Sequence, residues 1–545
     1  MRFILPAGGS GMSFSRAQVA SALASLALSC HPAAANPIPV KIDPGIQYQE
    51  FEGWGTSLSW WAHDLGERDS ALAQRTVGWM TDPDTGLGFT IFRYNIGGGE
   101  APQHKHIPQH RRVPGFKPTE SGPYDWNADA GQRLVLRETL RRVPKAILEA
   151  QSNSPPYWMT KSGCAAGDTD GSDNLKEDSY PAFADYLTEV VKHFHDFWGA
   201  DFRTLAPMNE PNSGWWKSGN NQEGCAFSIP HQIRILAAAG KSLKDKGLSS
   251  TALSAADANS MEETRQDLKA YDAATLALLS QINTHSYYGF DSRRALSDLA
   301  VKSGKRIWQS ESGPLSGGNA TVFDACLFMS DVMLKDLRDL RANAWVDWQV
   351  QGEGPWGAIT SKGPNLKFHF YAAFTRFIRP GSRFIGCKAA GDSAATAGQG
   401  APGNTDVNMV AVLAPSTGNL VLVAVNTGAQ DQDYLLDLSA FPKLPAAARV
   451  FRASEKENLI RLPDLGLSGG PVAFRAAARS VTTVAMENAA GATLMPVLRA
   501  TRRGLQRDDG FLGSSRGSRP RFGSGWRGEE PGFDLLGKSW RIPLP

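Results

Sequence analysis

The feature that most constrains this chain is a rhythm of short β-rich runs. Eight of them, Glu52–Leu58, Phe89–Gly97, Lys145–Ser154, Thr204–Asn209, Thr251–Asp257, Ile282–Tyr287, Arg306–Glu311 and Ala344–Gln349, are separated by helix-like segments. The windows Tyr180–Trp198 and Pro230–Lys246 place apolar residues three and four apart, the period of a helix with one buried face. Eight strands alternating with helices point to an α/β fold, a (β/α)8 TIM barrel, over residues 51–384.

From about Ile385 the texture changes. Val407–Ala414, Leu420–Asn426, Asp433–Leu438, Ala448–Ala453 and Ser480–Met486 are strand-like, and Gly, Pro, Asn and Asp punctuate them. A small all-β sandwich domain is expected over residues 385–490. The stretch Ile38–Tyr48 precedes the barrel, so residues 36–50 are expected to join that domain across the sequence.

Both ends read differently. Arg2 and Arg16, the small apolar run Val19–Ser29 and the Ala33-Ala34-Ala35 cleavage pattern make residues 1–35 a secretory signal peptide, with Met12 as an alternative start. Residues 491–545 have a disordered composition: between Arg499 and Arg541 ten Lys/Arg stand against five Asp/Glu amid Gly, Ser and Pro. No later stretch has the length of a membrane span. The formal charge of +3 is too small over 545 residues to mark a nucleic-acid partner. A secreted, extracellular monomer is expected. Removing the leader leaves Cys164, Cys225, Cys326 and Cys387, an even number that an oxidising compartment pairs as two disulfides in one of three ways. Cys164 and Cys225 follow the third and fourth strand ends, which favours that pair and leaves Cys326 with Cys387. Asn319-Ala320-Thr321 is a glycosylation sequon.

In such a barrel, chemistry sits at the C-terminal ends of the strands. The fourth run ends in Leu205-Ala206-Pro207-Met208-Asn209-Glu210-Pro211-Asn212, and the seventh closes on Glu311. Proline stops the strand and leaves Asn209 and Glu210 at its mouth. Two carboxylates across a barrel mouth suit cleavage of a glycosidic bond. One donates a proton to the leaving oxygen, and the other attacks the anomeric carbon or activates water.

Several motifs then align in order: FEGWGTSLSWWAHDLG from Phe51, FRYNIGGGE from Phe92, QSNSPPYWMTKSG from Gln151, MNEPN from Met208, THSYYG from Thr284, QSESGP from Gln309 and FYAAFTRFIRPG from Phe370. Together they make residues 43–486 resemble glycoside hydrolase family 30, and within it the fungal endo-β-1,6-galactanase branch. The resemblance implies a retaining endo-glycosidase acting on β-1,6-galactan, as in arabinogalactan side chains, by double displacement through a covalent glycosyl-enzyme. It implies Glu210 as acid/base and Glu311 as nucleophile. The alternatives are the same mechanism on another β-linked glycan (β-1,6-glucan, xylan or a glucosylceramide), or a non-catalytic carbohydrate-binding homologue.

Around the pair, Asn209 is expected to hold the sugar 2-hydroxyl. Arg93 and Tyr287 are expected to hydrogen-bond Glu311 and keep it ionised while Glu210 keeps its proton, and His285 is expected to orient its neighbours. Of fifteen Trp, those that follow or end barrel strands (Trp158, Trp215, Trp216, Trp348 and Trp356) suit either a sugar platform or core packing. Trp348, Trp158 and Trp215 are carried forward as substrate-binding candidates. Glu100 and Glu353 suit sugar hydroxyls or solvated loops. His104, His106 and His110 share a polar loop with no carboxylate or Cys partner apparent in sequence. His193 and His195 are two apart on a helix and so diverge. Neither a metal nor a cofactor is expected.

Overall fold

The computed structural model describes residues 36–314, 321–389, 407–414, 416–467 and 469–489, and the paired strands Pro531–Phe533 and Ser539–Arg541. The expected leader, Asn319 and Ala320 of the sequon, and the rest of the tail lie outside the described residues. Among those described, no helix is long and apolar enough to cross a membrane.

The first strand, β1 (Ile38–Glu50), leads into a closed parallel barrel of eight. These are β2 (Gly53–Ser57), β3 (Ile91–Asn95), β4 (Ile147–Gln151), β5 (Phe202–Ala206), β6 (Ala252–Ser260), β7 (Leu279–Tyr288), β8 (Arg306–Glu311) and β9 (Ala344–Asp347). Each matches one of the eight runs, and β2 pairs with β9 through Gly53↔Ala344 to close the ring. Gly55 is needed there, because a Cβ would drive into the carbonyl oxygen of Ile91 on the next strand.

The inside of the barrel is polar below the mouth. Glu149 of β4 is fully buried yet accepts hydrogen bonds from five side chains: Arg93, Thr204, Ser254, Gln281 and Asn283. An unpartnered charge there would be costly. Paired this way, it holds Arg93 upright beneath the site.

After the barrel come a small hairpin, β10 (Ile359–Thr360) and β11 (Gly363–Pro364), and the helix Leu366–Thr375. The second sheet follows: β12 (Arg383–Ala389), β13 (Met409–Ala414), β14 (Asn419–Asn426), β15 (Gln432–Asp437), β16 (Ala447–Ser454), β17 (Glu457–Gly466), β18 (Val472–Ala476) and β19 (Ser480–Met486). With β1 they form nine strands in the order β17-β16-β19-β14-β13-β12-β1-β15-β18. The strand that opens the described chain therefore sits inside the sheet, antiparallel to β12 and parallel to β15. The two ends of the sheet close over a core of their own, with Tyr434 and Phe474 from one end and Val450 and Val484 from the other. Sequence reading passed over β17 and β18. Their alternating, half-exposed residues carry little of the continuous apolar signal that marks β13 and β14.

That continuous signal has a cause. Val410, Val412, Val421 and Val423 join the barrel's core, while Met409, Ala411, Leu413, Leu420 and Leu422 fill the sheet's core. Strands buried on both faces lose the polar alternation of a solvated sheet. The contact is reinforced where Phe377 meets Phe451 at 4.9 Å and Thr483 Oγ1 donates to Ala373 O at 2.6 Å.

The expected disulfides are not formed: Cys164, Cys225, Cys326 and Cys387 are all free thiols. The partners of each expected pair pack in different places. Cys164 lies with Ile107 and Ala166, whereas Cys225 is in the barrel core. Cys326 is in the barrel core too, and Cys387 packs against the core of the sheet.

Candidate active site

Glu210 lies four residues past the end of β5, with φ +47, a left-handed conformation disfavoured for a side-chain-bearing residue. Two hydrogen bonds hold it there: Glu210 N donates to Asp257 O at 2.8 Å, and Trp216 Nε1 donates to Glu210 O at 2.9 Å. Trp216 is thereby a buried support rather than a sugar platform. Glu311 is the last residue of β8, so the strand itself aims it.

His285 of β7 stands between the two acids. Its Nδ1 is 3.1 Å from Glu210 Oε1 and 3.6 Å from Glu311 Oε1, and oxygens of the two carboxyls lie within 4.8 Å of each other. Asn259 Nδ2 donates to the same Glu210 Oε1 at 2.6 Å. Tyr287 OH donates to Glu311 Oε1 at 3.2 Å, and Arg93 Nη1 is 3.6 Å from Glu311 Oε2. Arg93 is tied below to Glu149, and through Nη2 to Asp257 at 2.5 Å. The site is thus a ladder of alternating charge rising from the barrel floor.

Its electrostatics follow from burial and proximity. Burial pushes the Glu311 carboxyl up to about 7; His285 and Arg93 pull it down, and the nearby Glu210 charge pushes it further up. Burial opposes a charge on His285, yet Glu311 and Asp257 outweigh it and raise the imidazole to about 10. Burial likewise opposes ionisation of Asp257, but Arg93 and His285 hold it well below the usual carboxylate range. Glu311 was expected to be held ionised. The structure instead raises it, because burial outweighs the pull of His285 and Arg93.

The carboxyls open into a cavity of about 600 Å³. Asn209, Tyr287, Trp215 and Trp348 line it, as expected, together with Trp60, Glu223 and Tyr288. Asn209 Oδ1 has no protein partner, and Trp60 meets Trp348 edge-on at 5.1 Å. Three candidates are placed elsewhere. Arg93 and His285 are fully buried beneath the pair, so they act on the acids and not on sugar. Trp158 packs against the core, donates from Nε1 to Lys117 O and does not line the cavity. Glu353 accepts from Ser361 N, and Glu100 is enclosed in a loop.

Sequence reading missed Asn259, Asp257 and Glu223. Asp257 was legible, since it closes the fifth run; Glu223 sits in a loop and carried no signal. Burial pushes Glu223 up to about 8 even though Asn95 Nδ2 and Gly98 N donate to it. At the His104 loop the expected absence of a carboxylate or Cys partner does not hold. The fold brings Glu100 and Cys164, a carboxylate and a cysteine, onto His104 and His106.

With this geometry in hand, comparison with known proteins is direct. Residues 37–351 match the model of O-glycosyl hydrolase family 30. The endo-β-1,6-galactanase of Hypocrea rufa is 31% identical over 372 residues, covering 63% of this chain and 75% of that protein. An exo-β-1,6-galactobiohydrolase of Bifidobacterium longum is 25% identical over 563 residues, covering 75% of this chain and 36% of that protein. Among solved structures, the catalytic domain of xylanase C from Talaromyces cellulolyticus superposes with a TM-score of 0.62 at 19% identity, over 82% of this chain and 99% of that one. A conserved exported protein from Bacteroides fragilis reaches 0.68 at 20% identity, over 82% and 100%. These two likenesses speak for the fold alone. The family match takes in every barrel strand from β2 to β9 rather than one motif, and so the chain belongs to O-glycosyl hydrolase family 30, the O-glycosyl hydrolases.

Proposed function

We propose that the protein is a secreted, retaining endo-glycosidase that hydrolyses β-1,6-galactan, with Glu311 as nucleophile and Glu210 as acid/base. The observation that carries the mechanism is the closeness of the two carboxyls. Inverting enzymes hold theirs about 6.5–9.5 Å apart to admit a water, and retaining ones about 5–5.5 Å apart. Oxygens within 4.8 Å of each other favour the narrower arrangement. The choice of substrate rests on the galactanase relative, which acts on β-1,6-galactan by name.

The hydrogen bonds divide the roles. Glu311 Oε1 is held by Tyr287, while Oε2 is buried without a hydrogen-bond partner and free to attack. Its lone pair forms a bond to the anomeric carbon as the glycosidic C–O bond breaks. Asn259 and His285 both engage Glu210 Oε1, leaving Oε2 to carry the proton to the departing oxygen. Glu210, now a carboxylate, then takes a proton from water. That water attacks the anomeric carbon and releases Glu311. Asn209 lines the cavity and its Oδ1 has no protein partner, which supports a role in binding the sugar 2-hydroxyl.

Proton NMR of the earliest products from β-1,6-galacto-oligosaccharides tests the mechanism. Retention of configuration is expected, and an inverted first product rejects both assigned roles. Glu311→Ala should abolish turnover in a folded protein, and added azide should restore some of it with inversion. Sizing the products from a panel of β-linked polysaccharides tests the substrate. Release of short oligosaccharides from β-1,6-galactan alone is the expected pattern.

A further inference from the structure

A second cluster of reactive side chains lies outside the cleft. Glu100 ends the glycine-rich run after β3, His104 and His106 follow on the same loop, and Cys164 arrives from the loop after β4. One donor atom from each lies within 4.8 Å of all the others. Cys164 Sγ is 3.3 Å from both His106 Nε2 and Glu100 Oε2, and those two atoms are 3.6 Å apart. Ligands bound tetrahedrally to one Zn²⁺, at metal distances of about 2.0–2.3 Å, stand roughly 3.3–3.6 Å from each other. The three edges already have the lengths that a zinc ion imposes.

The protonation pattern points the same way. His106 Nδ1 is 2.6 Å from the carbonyl oxygen of Asn220, which can only accept, so Nδ1 carries the hydrogen. In the neutral imidazole Nε2 then turns its lone pair into the cluster, the arrangement of a ligand histidine held by a carbonyl behind it. There it faces Cys164 Sγ and Glu100 Oε2, which also accepts from Ala165 N at 3.0 Å. The side chains of Glu100 and His106 are 0% and 20% exposed, and that of His104 is 29%, so a buried floor is reached through the two imidazoles. Ile107 and Ala166 pack around the sulfur and keep it dry.

We propose that Glu100, His104, His106 and Cys164 bind one Zn²⁺ as a structural ion. A thiolate, two imidazoles and a carboxylate form a donor set suited to zinc. The ion ties the loop after β3 to the loop after β4, and through Asn220 to the loop after β5. Those loops carry Arg111, Trp215 and Glu223 of the cleft wall. The ion fixes the shape of that wall and has no part in bond cleavage, so the proposal stands independently of the roles given to Glu210 and Glu311.

The test is a Co²⁺ titration of the full chain after dialysis against a chelator. Wild type should take up a single equivalent, with the visible bands of a tetrahedral site and a thiolate-to-cobalt charge-transfer band. Added Zn²⁺ should displace the cobalt and raise the Tm. Cys164→Ser should lose the charge-transfer band, and His106→Ala should bind at least tenfold more weakly. If Cys164→Ser does not fold, mass spectrometry of alkylated wild type decides, with Zn²⁺ expected to protect Cys164 alone among the four thiols. Folded wild type showing no charge-transfer band in excess Co²⁺ overturns the proposal, as does a band that survives Cys164→Ser or an unprotected Cys164.

Discussion

At the scale of the residue, His285 bears on how Glu311 titrates. Its positive charge pulls the Glu311 carboxyl down, and removing it lets Glu311 hold its proton to higher pH. The nucleophile must be ionised to attack, so activity should be low while Glu311 is protonated and rise as pH climbs through about 7. His285→Gln should move that rising limb to higher pH and lower kcat about 10²-fold or more, the scale of losing one preorganised charge. A pH–kcat profile reads both effects, and an unmoved limb would mean that His285 only packs. Glu223 has the opposite interest. Its carboxyl is held up to about 8 by burial, so the folded state keeps a proton that the unfolded chain releases near the ordinary value of 4.5. Stability from this group is therefore full below about 4.5 and is lost as pH rises to about 8. Glu223→Gln should raise the Tm by a few degrees at pH 8 and little at pH 4, as thermal melts at the two values will show. Glu210 and Glu311 were legible because strand ends in a barrel expose whatever they carry. Arg93 and His285 were read as site residues but not as buried ones, since nothing in a local window reports which way a barrel strand turns its side chains.

At the scale of the element, the barrel's strands and helices were legible because each repeats a strong period. What closes them together was not. The helix Trp61–Arg68 crosses the helix Ala130–Arg142 at a pair of glycines, Gly66 and Gly131. A Cβ on Gly131 would drive into the carbonyl oxygen of His63, and one on Gly66 into that of Gly131. By helix propensity alone, Gly131→Ala should stabilise by roughly 1 kcal/mol. Forcing the two backbones apart costs about 1–3 kcal/mol, so the net effect should be a loss. The strain falls beside Asp129, which takes hydrogen bonds from Tyr94 and Gln132 and meets His63 Nδ1 at 3.2 Å. Chemical denaturation of Gly131→Ala should show a lower midpoint with an unchanged slope. The four cysteines teach a related lesson. Their even number suggested pairing, but number says nothing of which core each one enters.

At the scale of the whole molecule, the sheet and the barrel share a core, so neither surface is finished alone. A chain ending near Pro380 would leave Phe377 and the helix Leu366–Thr375 without β16, β17 and β19, which pack against them. Expressed by itself, such a barrel should be insoluble or melt without cooperativity, and a cooperative transition near the full-length Tm would refute this. The change of texture near Ile385 was legible, yet the joining of the two cores was not, because a sequence window shows that a strand is apolar and not what each face meets. The place of β1 has a further consequence for the order of events as the chain is made. Its neighbours in the sheet lie at Arg383–Ala389 and Gln432–Asp437, more than three hundred residues downstream. The strand that leaves the ribosome before the barrel must wait, unpaired, until the whole barrel has followed it. Such distant pairing makes for high contact order and slow closure. A nascent chain halted before β12 leaves β1 without either sheet neighbour, and one halted before β15 leaves it with an open edge.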